Sequence, residues 1–414
     1  MRNAIVQALL ESDPKDARLY LPDSTSYSYR TGSPVIDYAL GYRVNVYNES
    51  DEIIESYAAL GVAAGKQICC IGKPSTGKTT WAVQVAAAIV RGIPNANVYH
   101  FDLEQAQNYT RIINLTRFKM SQIEKEDKYI LKQGSYSISD IKKLLMKIYM
   151  EKTSDPKKYQ YDTGKLDEFG KPIMLYVPTV IIIDSIPQLS TDVNLNEKKD
   201  RAKVEDISSQ TDRMRVTGEI SRFYSEIGPY QQEANIIVIS INQIKKRGNI
   251  GGMPSPAEML YLNQDETAPG GLAPQYLANQ LLKFIACGGE KKTIEDDGFD
   301  GFGAKIRVIK SRTSTNGQDI HVIYDKVRGF DSLRTSVEFA KENGLLGGNR
   351  GGYYFANLEN GKEHKFTARN MTEDFRNDRE LYKMLYDQII PILDSRIPNM
   401  DPENDTIPEE ELDY

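Results

Sequence analysis

Short apolar runs alternate with stretches of helical periodicity through most of this chain. After the first apolar run, Ala82, Val85, Ala86 and Ile89 recur at helical spacing, and Gly92 is placed to end that helix. The best strand candidates are residues 68–71, 97–101, 180–184, 236–241, 281–286 and 304–309. This alternation between about residues 30 and 330 predicts an α/β fold with a doubly wound, mostly parallel sheet.

The N-terminal region has a different pattern. Residues 4–11 place four apolar side chains on one side of a short helix, which is too small to be stable without a surface to dock on: Ile5, Val6, Leu9 and Leu10. A polar stretch then separates this helix from the α/β region. Within that region, residues 151–172 are hydrophilic and predict an inserted loop or hairpin, with turns at 163–164 and 169–170.

The C-terminal region predicts a small α+β subdomain. Helical patterns at 335–342 and 378–389 flank a polar β segment around 352–366. Residues 401–414 carry seven acids and no base, which indicates a disordered tail that either confers solubility or competes with a polyanion for a basic surface. The expected organisation is therefore an N-terminal helix and linker, a core, a subdomain and a tail, over residues 1–30, 31–330, 331–400 and 401–414.

Composition narrows the class of protein without identifying it. The formal net charge is −6, but the acidic tail accounts for it, so the body is close to neutral and can carry local basic patches. No apolar run approaches the roughly 18 residues of a membrane span, and the start of the chain is too polar for a signal peptide. Cys69, Cys70 and Cys287 form no C-x-x-C pair. We therefore expect a protein of a reducing cytoplasm with no membrane partner.

The strongest chemical signal is a complete phosphate-binding motif, G-x-x-x-x-G-K-[ST], between the first predicted strand and its helix. A chance match is the alternative, but strand, glycine loop and helix N-terminus is the arrangement that surrounds a phosphate chain with backbone N–H groups. In this interpretation Lys78 reaches the β- and γ-phosphates, and the Thr79 hydroxyl binds Mg²⁺. The residues of the loop and its continuation are Gly72, Lys73, Pro74, Ser75, Thr76, Gly77, Lys78, Thr79 and Thr80.

Three later strands end in polar side chains that suit a nucleotide hydrolase. Asp184 ends an apolar strand and is a candidate for holding Mg²⁺, although it could be an ordinary solvated strand end. Asp102 and Glu104 follow another strand, and either could be the general base for the attacking water. Gln243 follows a further strand and is a candidate γ-phosphate sensor, although by itself it could be an ordinary polar strand end.

In these motifs and their order, the chain resembles the RecA-type homologous recombinases, in particular the UvsX-like strand-exchange proteins of large tailed phages. The resemblance covers residues from about 30 to 400 and is carried by the segments TGSPVIDYALG, GKPSTGKTT, HFDLEQ, IIIDSIPQL and ISINQI. It implies a RecA-like P-loop NTPase core with ATP and Mg²⁺ as cofactors. It also implies that Glu104 is the catalytic glutamate, that Asp184 is associated with Mg²⁺, and that Gln243 links the γ-phosphate to the DNA loops.

The resemblance assigns further residues around the nucleotide. Lys310 and Arg312 follow the predicted strand 304–309 and would be cations that reach the ATP of a neighbouring protomer, stabilising charge on its γ-phosphate. The alternative is a basic turn on the surface. Tyr109 takes the place of the residue that stacks on adenine.

Two long polar segments would be the DNA-binding loops of the family. The first, at 191–213, and the second, at 244–276, have the cations and glycines that suit a nucleic-acid backbone, although a mixed-charge loop is often merely solvated. The candidate contacts are Arg201, Lys203, Arg213, Lys245, Lys246, Arg247, Gly270, Gly271 and Tyr276.

The function expected from this resemblance is ATP-dependent homologous recombination. Protomers would polymerise as a helical filament on single-stranded DNA, pair it with double-stranded DNA and exchange strands, and the N-terminal helix would dock on the next subunit. Mediator proteins and single-strand-binding proteins are possible further partners. The alternatives are a hexameric replicative helicase, which would carry a larger helical domain before the core, and a recombinase paralogue that binds ATP without acting as a motor.

Overall fold

A computed structural model describes residues 26–191, 210–246, 261–287, 293–296, 299–349, 352–356 and 361–398. Several sequence predictions lie outside these residues: the N-terminal helix, the acidic tail, Arg201, Lys203 and Arg247. Arg213 lies in a described helix, but its side chain is outside the description. Within the described ranges, no helix has the length and apolar character that crossing a membrane requires.

The strands are β1 (Ser28–Tyr29), β2 (Tyr42–Tyr47), β3 (Ile53–Ala59), β4 (Val62–Ala63), β5 (Gln67–Gly72), β6 (Asn97–Asp102), β7 (Tyr129–Gln133), β8 (Gln160–Leu166), β9 (Pro172–Tyr176), β10 (Thr179–Asp184), β11 (Ile236–Gln243), β12 (Lys245–Lys246), β13 (Glu266–Thr267), β14 (Gln280–Ala286), β15 (Thr293–Asp296), β16 (Phe299–Ser311), β17 (Asp319–Asp325), β18 (Gly329–Phe330), β19 (Gly347–Asn349), β20 (Gly352–Ala356) and β21 (Glu363–Phe366).

The α-helices are α1 (Pro34–Ala39), α2 (Lys78–Val90), α3 (Tyr109–Thr116), α4 (Met120–Glu124), α5 (Ile138–Ser154), α6 (Pro156–Tyr159), α7 (Gln210–Glu233), α8 (Ala273–Leu277), α9 (Ser332–Glu342), α10 (Met371–Asn377) and α11 (Arg379–Asp394). A 3₁₀ turn, Ile186–Gln188, follows β10.

A ten-stranded sheet organises the molecule as a mixed α/β fold. Its strands lie in the order β18-β17-β16-β14-β5-β11-β10-β6-β7, and β15 pairs with β16. From β14 to β7 each neighbouring pair is parallel, whereas β16, β17 and β18 extend the sheet in antiparallel fashion. The six strands predicted from the sequence are confirmed as β5, β6, β10, β11, β14 and β16.

Both faces of the parallel region are buried, which explains its apolar strands. Along β10, Val180 and Ile182 pack in the same hydrophobic cluster as α2, while Ile181 and Ile183 face a second cluster that includes α5 and α7. Successive side chains of a strand point to opposite faces, so a continuous run of isoleucines serves two helical layers at once. The carboxyl ends of β5, β6, β10 and β11 consequently meet at one edge of the sheet.

The hydrophilic insertion forms a hairpin at the opposite edge. Its first four residues belong to the last turn of α5, which corrects the predicted boundary, and β8 and β9 pair in antiparallel fashion. The hairpin is anchored by hydroxyl groups: Tyr57 donates to the carbonyl of Leu166 over 2.7 Å, and the hydroxyls of Tyr29 and Tyr161 are 2.8 Å apart. The insertion is thus an ordered part of the molecule, docked on the N-terminal strands.

The C-terminal elements share the core of the main sheet. Helix α9 begins three residues before its predicted start, because Asp331 caps it by accepting a hydrogen bond from the backbone N–H of Arg334 over 2.9 Å. Helix α11 continues to Asp394, beyond the predicted end. Phe366 and Phe375 belong to the hydrophobic cluster that also contains Val322 of the sheet.

Candidate nucleotide site and the predicted DNA loops

The phosphate-binding motif forms the turn between β5 and α2. Gly77 is the residue before the helix and has φ +92°, and a Cβ placed there would lie 2.6 Å from the ring of Tyr324. A Cβ at Gly72 would lie 2.5 Å from the backbone oxygen of Phe284. Both glycines are therefore required by close packing, and Gly77 also by its left-handed backbone.

The side chain of Lys78 is held inside the phosphate-binding loop by a hydrogen bond. Its ammonium group donates to the carbonyl of Lys73 over 2.7 Å. Burial lowers the pKa of Lys78, although the nearby Asp184 and Glu104 carboxylates act in the opposite direction. A phosphate placed in the loop could replace the Lys73 carbonyl as the partner of this cation.

Thr79 and Asp184 provide two oxygen atoms at the same edge. The Thr79 hydroxyl donates to Asp184 Oδ2 over 2.8 Å. Mg²⁺ at phosphate sites usually takes one or two protein oxygens and completes its shell with water and phosphate oxygens. The pair therefore has the donor atoms and the position that Mg²⁺ bound to a nucleotide would need.

The two candidates for the general base have different environments. Asp102 is buried and its carboxylate holds the turn after β6, accepting from the backbone N–H groups of Ala106 and Gln107 over 3.2 and 2.8 Å and from Gln133 over 2.9 Å. Glu104 is exposed at the sheet edge. The structure thus engages Asp102 in local backbone bonding and leaves Glu104 at the site.

Glu104 is fixed by side chains at the carboxyl ends of two other strands. Gln243 Nε2 donates to Glu104 Oε1 over 2.8 Å, and the Ser185 hydroxyl donates to the same oxygen over 2.6 Å. Ser185 was not identified from the sequence. Its position directly after Asp184 is the one sequence feature that could have indicated it. The carboxyl ends of β6, β10 and β11 therefore converge on one carboxylate.

The surroundings of the loop include aromatic and basic residues. Tyr109 begins α3 and is 42% exposed, and Arg111 donates to the Thr80 hydroxyl over 3.2 Å. Tyr324 is buried against Gly77, and its hydroxyl has no hydrogen-bond partner among the described residues. Neither Arg111 nor Tyr324 was identified from the sequence, and no motif near Tyr324 indicates its contact with the loop.

Lys310 and Arg312 lie away from the phosphate-binding loop of their own chain. Both donate to the carbonyl of Tyr276, Arg312 over 3.2 Å, and burial lowers the pKa of Lys310, with Arg312 adding to the effect. In the sheet, Gly72 is level with Phe284, and Phe284 with Ile306. After a β-bulge, Lys310 pairs with Leu281, which is level with Cys69, three residues before Gly72, so the backbone at Lys310 is about 10 Å from the level of Gly72.

The start of the second predicted DNA loop is a short hairpin. Lys245 and Lys246 are exposed and form β12, which pairs with β13. Asn242, directly before Gln243, donates to the carbonyl of Pro269 over 2.8 Å. The base of the loop is therefore bonded to the strand that delivers Gln243.

The end of this loop packs on the protein. Gly270 and Gly271 have φ +82° and +75°, and added Cβ atoms would lie 2.6 Å from Ile186 and 2.7 Å from Thr217. The Tyr276 ring contacts that of Tyr261 edge to face at 5.3 Å. These contacts give the two glycines a packing role, and DNA contact by the loop stays a prediction.

A buried ion pair, not expected from the sequence, joins this loop to the sheet. Lys283 of β14 donates to Glu266 of β13 over 2.7 Å. Burial would raise the pKa of Glu266, but hydrogen bonds from the Asn263 N–H and from Lys283 hold it below its usual value. The pair holds β13 next to β14, the strand that pairs with β5 before the phosphate-binding loop. Removing either partner would leave a buried charge uncompensated and would therefore be destabilising.

A scan against protein-family models finds no match to this chain, and a search of curated proteins finds no relative. The case for its function therefore depends on its motifs and on the geometry described above.

Proposed function

We propose that this chain is an ATP-dependent DNA recombinase with a RecA-like P-loop NTPase core. It would form filaments on single-stranded DNA in the cytoplasm, pair them with double-stranded DNA and exchange strands. The observation that carries the proposal is the convergence of Lys78, the Thr79–Asp184 pair and the Glu104–Gln243 pair at one edge of the sheet. An ordinary surface loop would not bring a motif lysine and three strand-end side chains together.

The proposed chemistry assigns a task to each group at this edge. Backbone N–H groups of the loop and Lys78 would hold the phosphates of ATP, and Glu104 would orient the attacking water and accept its proton. Bound Mg²⁺ would supply a Lewis acid that neutralises phosphate charge, held through Thr79 and Asp184. Ser185 would keep the Glu104 carboxylate in place.

The same geometry suggests how DNA binding and hydrolysis communicate. Gln243 donates a hydrogen bond to Glu104, and the preceding residue Asn242 donates one to the carbonyl of Pro269 at the base of the second loop. A displacement of Gln243 by the γ-phosphate would therefore alter the backbone that carries Lys245 and Lys246. DNA held by this loop would bias the same equilibrium in return, because coupling between two sites is reciprocal.

The position of Lys310 and Arg312 supports an ATP site completed by polymerisation. These cations lie toward the end of the sheet opposite their own phosphate-binding loop, so in a head-to-tail assembly they would face the loop of the next protomer. They would then stabilise the charge that develops on the γ-phosphate. Hydrolysis should consequently require neighbouring subunits.

The test combines filament formation with hydrolysis. Electron microscopy with single-stranded DNA and a slowly hydrolysed ATP analogue should show long helical filaments, whereas rings would indicate a helicase and neither form a loading factor. Single-stranded DNA should stimulate ATP hydrolysis, and Lys78→Ala should abolish the stimulated rate. Lys171→Ala, at an exposed position of the insertion hairpin, is the matched control. DNA-stimulated hydrolysis that survives in Lys78→Ala would refute the proposal.

A further inference from the structure

His100 is a buried imidazole directly behind the candidate magnesium residues. It is the fourth residue of β6 and is 0% exposed. Its Nδ1 lies 2.8 Å from the hydroxyl of Tyr129. Its Nε2 has no hydrogen-bond partner among the described residues and lies 3.7 Å from Asp184 Oδ2.

The neighbours of the ring favour a proton on Nε2. If the Tyr129 hydroxyl donates to Nδ1, the proton is on Nε2 and points toward the Asp184 carboxylate. In the opposite arrangement a bare nitrogen lone pair would face the carboxylate oxygen, which is electrostatically unfavourable. The hydrogen bond made by one ring nitrogen thus sets what the other presents.

The direction of this N–H connects it to Mg²⁺ binding. Asp184 Oδ2 accepts the Thr79 hydroxyl on one side and faces His100 on the other. A carboxylate fixed by a buried donor loses less freedom when it takes part in the shell of a metal ion, and such outer partners tune metal affinity. An apolar side chain would fill the same interior position in the strand but could not orient Asp184.

We propose that His100 is a positioning residue for the Mg²⁺–nucleotide site, acting through Asp184. Its imidazole directs Nε2–H toward the Asp184 carboxylate at 3.7 Å and favours the position of that carboxylate beside Thr79, and Tyr129 sets which ring nitrogen carries the proton. This inference rests on the proposed nucleotide function and adds to it a determinant of divalent-cation affinity.

The experiment titrates Mg²⁺ into the full-length protein with a fluorescent N-methylanthraniloyl derivative of ATP. We expect His100→Leu to raise the Mg²⁺ concentration for half-maximal signal about tenfold and to leave binding of the Mg²⁺-free nucleotide unchanged. His100→Gln should stay near wild type, because its amide N–H can take the place of Nε2–H. Tyr129→Phe should cause a smaller shift in the same direction.

An unchanged Mg²⁺ midpoint in folded His100→Leu would overturn the inference, as would equal losses in the Leu and Gln variants, which would indicate ring packing. Tyr129→Phe keeps the imidazole and offers a second test if His100→Leu does not fold; an unchanged midpoint there would overturn the tautomer argument. A wild-type protein that binds Mg²⁺–nucleotide but neither hydrolyses ATP nor forms filaments would refute the recombinase proposal, while the midpoints still decide the role of His100.

Discussion

Gln243 donates its side-chain amide to the carboxylate of Glu104 over 2.8 Å, joining the ends of β11 and β6 across the intervening strand β10. Ser185, just beyond β10, donates to the same oxygen. Three neighbouring strand ends thus fix one carboxylate. In the proposed function this cluster orients the attacking water and transmits the state of the nucleotide to the second loop.

The first prediction concerns the base itself. Glu104→Gln keeps a side chain that can accept from Ser185 but cannot take a proton from water. We expect ATP hydrolysis to fall by about 10²–10⁴-fold while nucleotide binding and filament formation persist. Steady-state hydrolysis and nucleotide-binding fluorescence measure the two effects, with exposed Glu124→Gln as the matched control. A rate within a few fold of wild type would remove Glu104 from this role.

The second prediction tests whether Lys310 and Arg312 act between protomers. The double variant Lys310→Ala, Arg312→Ala keeps its own phosphate-binding loop, so it should bind ATP but hydrolyse it about 10²–10³-fold more slowly. Mixing it with Lys78→Ala should restore part of the activity, because some interfaces then pair an intact loop with intact cations.

The control for this experiment is Lys326→Ala, which removes an exposed cation elsewhere on the antiparallel extension. Lys326→Ala should be active by itself. Its mixture with Lys78→Ala should show only the hydrolysis that the Lys326→Ala subunits contribute. If the mixture of the two inactive proteins is no more active than the sum of its components, the cations do not act in trans.

The third prediction concerns the electrostatic part of DNA binding. Lys245 and Lys246 are exposed at the base of the second loop. For single strands each neutralised phosphate contributes about 0.7 to the slope of log affinity against log salt, so replacing both lysines by alanine should reduce that slope by about 1.4. Fluorescence anisotropy over a salt series measures it. An unchanged slope, as expected for the exposed control pair Lys157→Ala, Lys171→Ala, would exclude both lysines from phosphate contact.

The sequence was most informative where function depends on local spacing. The motif at 72–79 and the acids that end apolar strands follow from the chain itself, since parallel strands bring their carboxyl ends to one edge. That geometry explains why Asp184 and Gln243 could be named in advance. The six principal strands were predictable for the same reason, as each is a continuous apolar run.

The remaining features depend on contacts between distant residues. The difference between the environments of Asp102 and Glu104 arises in the turn after β6, where Asp102 accepts two backbone N–H groups. Tyr324 meets Gly77 because an antiparallel extension brings it there, and no short-range pattern encodes that pairing. From the sequence, His100 is indistinguishable from an ordinary core residue of a strand. Only the structure shows that its ring lies near Asp184.

The last prediction concerns Lys152, a buried residue at the opposite end of the parallel strands from the candidate nucleotide site. Lys152, near the end of α5, donates to the carbonyls of Val177 and Ala234 over 2.7 and 3.0 Å and so ties the helix to the starts of β10 and β11. Burial lowers the pKa of Lys152 to about 7. In the unfolded chain a lysine has a pKa of about 10.4.

The sign of the pH effect follows from these two values. Between about pH 7 and pH 10 the unfolded chain keeps the proton and the folded protein releases it, so this group makes the free energy of unfolding rise with pH, by at most about 1.4 kcal/mol per pH unit. Below about pH 7 both states are protonated and the folded protein bears the full cost of burying the charge. Lys152→Met should remove this contribution, although it leaves two carbonyls without their donor and lowers stability overall.

The measurement compares urea unfolding at pH 7.5 and pH 9.5 for wild type, Lys152→Met and Lys147→Met, an exposed lysine of the same helix. Wild type and the control should gain more stability on going to pH 9.5 than Lys152→Met does, since other titrating groups are common to all three. Equal gains in the three proteins would mean that Lys152 keeps an ordinary pKa, with its two carbonyl partners offsetting the effect of burial.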